Sequence, residues 1–463
     1  MIGRQFRQRL LILGTVLLAV TASLVLAHEL VAQAAPPRPD RVRRDTITVS
    51  ADSMVARLAR AEAAIALLQQ QLAIEAATAV RTRSRLQLEL SGRVLTNSYF
   101  TQGRANSAEL PLLAREAITA TNPAQGQPGT RAFGISLRQT FIGAALSVDS
   151  VLGGTFVGDI DIDFFSGGTA FTADPFGFPT PRLRTVSAQM RWSRTTLMVG
   201  TDSPLISDLN PVSLAATGTP AFALAGNLWN WIPQLRASHS FAQSRVGSTP
   251  VSWVVQAAAL APAAGVRHPN EPDLIDAGER SGRPALEARM SMHWGAADAA
   301  NDAHGEVGVS VHRGWLRVTG DRFTVARAIA ADARVGLSHG LTLLAEGYSG
   351  RAISSLGGGG IGQTFGAASA GQAFGPPVRD VAGWAQLNAQ LRPTLSSGVG
   401  CGLAVADARD RPRRLRNGTC ETHLIWRPTQ PVLVGFEVRR IGTVYATGNQ
   451  RATHFNLALG FEW

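Results

Sequence analysis

The sequence predicts an all-β protein, a transmembrane antiparallel β-barrel of about sixteen strands preceded by a short N-terminal coiled-coil helix. Three observations lead there. The last nine residues alternate apolar and small or polar side chains and end on Trp463; similar segments recur from Arg85 onward; and their connections fall into a short and a long class. In the terminal segment Phe455, Leu457, Leu459, Phe461 and Trp463 share one face, while Asn456, Ala458, Gly460 and Glu462 share the other, because a strand turns successive side chains to opposite sides. An aromatic end in that register suits a closing strand whose tip lies at the membrane–water interface. Taken alone, an edge strand of a soluble sheet would read the same way.

The N-terminal region differs. Arg4, Arg7 and Arg9 precede an apolar run from Leu10 to Ala27, and Ala32-Gln33-Ala34 offers a small-x-small cleavage site before Pro36 and Pro37. Residues 1–34 are therefore expected to be a secretory signal peptide. A run of about 18 residues is long for that purpose and leaves a retained anchor open. Residues 35–50 read as a linker. Over 51–80 the hydrophobic period lengthens: Leu58, Ile65 and Leu72 recur every seventh residue, with Ala61, Leu68 and Glu75 at the complementary positions. That is a coiled-coil seam of about three heptads, too short to be stable alone; a single amphipathic helix packed on the barrel is the alternative. No later stretch is apolar enough for a spanning helix. Only helices and closed barrels satisfy every backbone polar group inside lipid.

The barrel itself, 85–463, divides into strands at 85–100, 132–147, 153–166, 182–192, 195–202, 232–243, 250–260, 284–295, 304–313, 321–336, 340–350, 379–391, 395–406, 416–427, 431–441 and 451–463. Short connections include 149–153, 193–194, 247–250, 338–340, 392–394 and 428–430; long ones include 104–131, 167–181, 203–231, 261–283 and 351–378. Sorting loops by parity is the habit of membrane barrels. The faces agree: Leu286, Ala288, Met290, Met292 and Trp294 oppose Glu287, Arg289, Ser291 and His293, and Val432, Val434, Phe436 and Val438 oppose Glu437 and Arg439. Segment 321–336, with Arg327 out of phase, fits poorly. Cys401 and Cys420 lie on adjacent strands, symmetric about 407–415 and on the apolar face, so an oxidising export route predicts a disulfide between them.

No catalytic set emerges. There is no phosphate loop, no helical pair of zinc histidines and no nucleophile elbow, so no catalytic residue, cofactor or metal ligand is assigned. Basic stretches interleaved with aromatics are missing too, which argues against nucleic acid. Charge carries the chemistry. The formal net charge is +11, and removing three Arg and Glu29 with the signal peptide leaves +9. All 44 basic residues are Arg; a compositional bias accounts for that, yet each can clamp an anion bidentately and none loses its charge. Arg138, Arg191, Arg236, Arg289 and Arg439 have lumen parity, and Arg182 and Arg184 open the fourth strand. Against them stand Asp159, Asp161 and Asp163 on the third strand. Facing rows of opposite charge would set a transverse field across a wet passage; plain pairing that stiffens the wall is the other reading. Loop 203–231, with Asp208 and Leu228-Trp229-Asn230-Trp231, is long enough to be functional. Folded inward, it would narrow the lumen and set Asp202 and Asp208 opposite the arginines; folded outward, it would reach over a neighbouring subunit.

Five segments in order carry a resemblance: Arg138-Gln139-Thr140-Phe141-x-Gly143, Asp161-Ile162-Asp163-Phe164-Phe165, Pro181-Arg182-Leu183-Arg184, Val199-Gly200-Thr201-Asp202-Ser203-Pro204, and Trp229-Asn230-Trp231-Ile232-Pro233-Gln234-Leu235-Arg236. Over residues 52–240 and the terminal strand, the chain resembles the trimeric DcaP-like outer-membrane porins, distant relatives of phosphate-selective porins. The resemblance implies a homotrimer of sixteen-stranded barrels in the cell outer membrane, a periplasmic coiled coil and an inward third loop. It also implies passive uptake of small, mostly anionic solutes such as dicarboxylates. It places Arg138, Arg182, Arg184, Arg191, Asp161 and Asp163 on the channel wall and 203–231 at the constriction. The lysine rings of phosphate-selective relatives are missing, so phosphate specificity does not carry over. The expected partners are membrane lipid, further copies of the chain and anionic solutes. A non-conducting structural or adhesion barrel, plugged by 203–231, is the alternative.

Overall fold

Alternation with period two organises nearly all of the described chain. In the computed structural model the described residues are 79–81, 86–116, 131–166, 180–247, 249–266, 275–295, 304–319, 322–337 and 340–463. The expected signal peptide, the linker and residues 51–78 of the expected coiled coil lie outside them. The strands are β1 (Ala79–Arg81), β2 (Leu86–Gln102), β3 (Arg131–Ser136), β4 (Phe141–Val151), β5 (Gly154–Ser166), β6 (Thr180–Arg191), β7 (Thr195–Asp202), β8 (Ile232–Val246), β9 (Thr249–Leu260), β10 (Ala285–Trp294), β11 (Gly305–Thr319), β12 (Arg322–Leu337), β13 (Leu341–Arg351), β14 (Arg379–Arg392), β15 (Leu395–Ala406), β16 (Arg414–Thr429), β17 (Val432–Tyr445) and β18 (Gly448–Glu462). Ala79 and Val80, assigned from the sequence to the end of the helical segment, instead pair in β1 with Leu88 and Glu89 of β2.

All neighbours from β4 to β18 pair antiparallel, and β18 returns to β2 from Thr453↔Gln102 to Glu462↔Arg93. The backbone of Trp463 adds two hydrogen bonds of 3.1 Å with Gly92. Closure removes the sheet edges that would otherwise recruit another chain. Because β3 and β4 pair with the upper and lower halves of the same strand, β2, they share one position, and with β1 set aside the barrel has sixteen strands. Among the described residues no helix is long and apolar enough to cross a membrane.

Two sequence expectations need correction. The segment expected as one strand over 132–147 is interrupted at 137–140. There Thr140 Oγ1 accepts from Leu95 N at 3.1 Å and Gln139 turns inward, so side chains take over bonds that a continuous ladder would make. The sorting of loops by length also holds only in part. β11 runs on to Thr319 and β17 to Tyr445, leaving two-residue connections at 320–321 and 446–447 on the long-loop end. The alternation had not stopped: Trp315 stays outward and Leu316 is fully buried inside.

The outer surface carries exposed Leu235, Leu286, Met290, Val309, Val311, Phe436, Leu457 and Leu459. Cys401 and Cys420 are direct cross-strand partners on this face, joined by a disulfide. Inside, apolar clusters form where loops meet the wall. Leu205, Leu228, Leu356, Ile361 and Val378 pack together beneath the long-loop end, and Leu209, Phe222, Leu344 and Trp384 pack deeper.

Candidate functional site: an inward loop and a charged wall

Loop 203–231 folds into the barrel, and inward-facing polar residues hold it there. Gln386 on β14 accepts from Val212 N at 2.8 Å and donates to Val212 O at 2.9 Å, acting as a one-residue substitute for a neighbouring strand. Gln139 does the same at the far end, accepting from Thr217 N and Gly218 N and donating to Ala215 O, all at 2.7–2.8 Å. Between them Asn97 of β2 donates to Leu214 O at 2.9 Å and Glu437 of β17 accepts from Ser213 Oγ at 2.5 Å, while nearer the start of the loop Glu346 of β13 accepts from Leu209 N at 2.9 Å. Phe222 stacks on Trp384 at 5.7 Å. Gly226, at φ +118°, lies so close to the Gly383 backbone that a Cβ would come within 2.4 Å of it. A buried loop must pair its own polar backbone, and these side chains do that.

Gln139→Leu is therefore expected to strand three loop groups, at about 1–3 kcal/mol for each group left unpaired. The predicted readout is noisier, larger single-channel current at unchanged barrel assembly. Identical current traces would mean that the loop holds its place without this anchor.

The loop divides the interior. Behind it much of the inner face of β10 to β18 is buried, including Glu287, Arg289, Asp332, Glu346, Gln386, Glu421, Arg439 and Asn456, while His293, Glu306 and Arg334 keep solvent contact towards the short turns. On the opposite wall, Asp159, Asp161, Arg184, Gln189, Arg236 and Ser238 are all partly exposed. Among the described residues the solvent-reached inward side chains lie along β4 to β8 and, near the short turns, on β10 to β12.

The charges on that wall are paired in layers. Asp163 accepts from Arg182 at 2.9 and 2.5 Å and lies 3.6 Å from Arg184 Nε. Asp163 is 1% exposed, whereas Arg182 and Arg184 are 26% and 20% exposed, so the guanidiniums stand in front of their carboxylate. Both lean on the Trp231 ring, at 5.1 and 4.8 Å, which orients them at little entropic cost. Arg138 occupies the strand break, where it pairs with Glu109 at 2.8 Å and stacks on Phe165 at 4.6 Å. Asp159 and Asp161 accept from Ser187 at 2.6 Å and Thr185 at 3.0 Å. The order reverses at Asp202: Arg236 pairs with it at 3.2 Å, and here the carboxylate is the more exposed partner.

Arg236, Arg289 and Arg439 point inward while Arg138 falls in the strand break, and inward is not the same as solvent-facing. Arg289 is enclosed by Asp208, Glu306 and Asp332 at 3.1, 2.6 and 2.8 Å, and Arg439 by Glu421 and Glu437 at 3.0 and 2.6 Å. Both are buried behind or beneath loop 203–231, and Asp208 meets Arg289 from that loop. Arg191 is exposed beside the 192–194 turn, bonded to Gln189 at 2.8 Å, far along β6 from Arg182. Opposed rows of Arg and Asp are replaced by partners on adjacent strands. Arg93, Glu109, Gln139, Glu346, Gln386, Glu421 and Trp231 were not singled out as site residues. Only Gln139 and Trp231 stood within a noted motif. Among the described residues no group of three or more His, Cys, Asp or Glu could hold a metal ion.

The described strands form a closed sixteen-stranded barrel with a long loop turned inward. The chain shares the fold of the outer-membrane channel DcaP of Acinetobacter baumannii, with a TM-score of 0.58 and 15% identity over 83% of this chain and 99% of that one. An anion-selective porin from Comamonas acidovorans is similar more loosely, with a TM-score of 0.47 and 11% identity over 81% of this chain and 100% of that one. OprB of Pseudomonas putida gives 0.45 and 11% over 81% and 94%. No family model matches the chain, and no curated protein does. The resemblance read from the five motifs is met at the level of the fold.

Proposed function

We propose that the protein is an outer-membrane porin through which small hydrophilic anions of the carboxylate type diffuse passively. The observation that carries this reading is the solvent-reached wall of β4 to β8, where Arg182 and Arg184 stand in front of a buried Asp163. A passing solute would meet fixed cations there, in a low-dielectric wall that strengthens their pull. The apolar exterior supports placement in lipid. The long loops would then face outside and the short turns the periplasm, with the 51–80 segment as a periplasmic coiled coil that helps hold a homotrimer. The shared fold with a protein described as an outer-membrane channel favours the same reading.

Reconstitution into planar bilayers tests it. The expected result is stepwise ohmic current, in threes for an intact trimer, with a zero-current potential in a salt gradient of the sign for anion preference. Cation preference would refute the anion claim. Absence of current would favour a non-conducting binding barrel, a reading that has its own support in the apolar packing of Leu205, Leu228, Leu356 and Ile361 below the long loops.

A further inference from the structure

Four arginines stand in one row on the outside of the barrel. Arg313 of β11 is the cross-strand partner of Arg327 on β12, Arg327 of Arg351 on β13, and Arg351 of Arg379 on β14. Like charges directly opposite one another weaken a sheet, so such a row calls for anions to offset it. Arg379 has Asp410 at 2.7 Å and Asp407 at 3.4 Å. For Arg313, Arg327 and Arg351 no carboxylate partner occurs among the described residues; Arg313 instead stacks on Trp315 at 5.5 Å. Arg327, Arg351 and Arg379 line a hollow of about 600 Å³ together with Pro376, Pro377 and the carboxylates Asp380 and Asp410, the second of which pairs with Arg379. The same Arg327, with Arg313, ends a second and larger trough of about 1210 Å³ that runs down the outer wall. Its floor is Ala257 and Ala259 and its sides are Leu197, Leu235, Leu286 and Val311.

We infer that this face binds a phosphorylated, multiply acylated lipid of the outer leaflet, with its phosphates on the arginine row and its acyl chains in the trough. Three features select that occupant over a second copy of the chain. The polar end is purely cationic where it is unpartnered, and guanidinium forks match phosphate oxygens. The trough joined to it is lined mainly by apolar side chains. The height also fits. On β12 the outward positions from Leu337 to Ile329 are all apolar and Arg327 is the first charge; ten residues at about 3.3 Å, tilted by about 40°, rise about 25 Å, the height of a barrel's apolar band. Arg283 over Phe323 at 5.0 Å marks the aromatic border beside the row. The inference rests on the barrel lying in an outer membrane with its long loops outward.

Native mass spectrometry of the detergent-purified full chain would count bound lipid after incubation with bis-phosphorylated lipid A, with phosphatidylethanolamine, or with lipid A and excess inorganic phosphate. Wild type is expected to retain lipid A in preference to phosphatidylethanolamine. Arg327→Gln/Arg351→Gln is expected to lower retention by about tenfold, since two charge-assisted clasps are lost. Ala257→Trp/Ala259→Trp, which fills the trough and leaves the arginines alone, should lower it too. Arg416→Gln/Arg440→Gln, outward arginines elsewhere on the wall, should not. Undiminished retention in the first two variants would overturn the proposal, as would phosphatidylethanolamine held equally well. Complete displacement by inorganic phosphate would reduce the site to a simple anion site. A changed oligomeric mass in Arg327→Gln/Arg351→Gln at constant lipid count would make the face a contact between copies. Planar-bilayer current from the same preparations reports separately on the channel reading.

Discussion

Arg182→Glu together with Arg184→Glu is expected to reverse the proposed anion preference to a cation preference. The two guanidiniums are what solvent meets on the β6 wall, and Asp163 is what they hide. Reversing both changes the local charge by four units and uncovers a carboxylate beside Asp159 and Asp161. Between partly exposed charges the effective dielectric lies well above that of a dry interior, so each unit contributes modestly, but four act on the same narrow stretch. A fall of about tenfold in the anion-to-cation permeability ratio corresponds to only about 1.4 kcal/mol, which such a change can supply. The measurement is the zero-current potential across a salt gradient. Arg182→Gln/Arg184→Gln serves as the milder arm and should move the potential in the same direction by less. Arg138→Glu/Arg191→Glu, two of the five arginines with lumen parity in the sequence, should act weakly. Arg138 is tied to Glu109 and to Phe165 O at 3.1 Å, and Arg191 lies at the turn end of β6. An unmoved potential in the Arg182/Arg184 variants would show that the narrowest point is elsewhere.

Strands were legible because their signal is local. All sixteen expected segments correspond to strands of the barrel, and the final nine residues alternate and close the sheet as their pattern implied. What escaped depends on partners distant in sequence. No local pattern reveals that Gln139 and Gln386 clasp loop 203–231, since their contacts lie 78 and 174 residues away. Alternation likewise says that Arg289 and Arg439 point inward without saying that a loop will bury them. Arg327 is the instructive exception. Its charge made it look out of phase, yet it keeps the outward register of Val325 and Ile329. A charge on a lipid-facing position is a departure with a local explanation, and the in-register neighbours Arg313, Arg351 and Arg379 supply it. A break in the hydrophobic pattern of this kind is where the binding role inferred above would compete with folding rules.

Arg439→Met is expected to be the most destabilising single change in the barrel wall. Its side chain is fully buried between β16 and β17 neighbours, with Glu421 and Glu437 as its partners and both carboxylates equally enclosed. Removing one member of a buried ion cluster leaves the others without compensation, at about 3–5 kcal/mol. The effect should propagate inward, because Glu437 also holds Ser213 Oγ of the inward loop and Glu421 accepts from Gln386 at 3.2 Å, the residue that clasps Val212. Adding Glu421→Gln to Arg439→Met removes one stranded charge and should recover part of the loss. Arg289→Met makes a useful contrast. Of its three carboxylate partners only Asp332 is fully enclosed, while Asp208 and Glu306 reach solvent, so the cost should be smaller. Urea unfolding of vesicle-refolded protein, followed by tryptophan fluorescence and heat-modified gel migration, measures all three. A loss below about 1 kcal/mol for Arg439→Met would mean that water reaches Glu421 and Glu437. In that case loop 203–231 does not seal the β16–β17 side, and the wet path would have to be widened beyond the β4 to β8 wall.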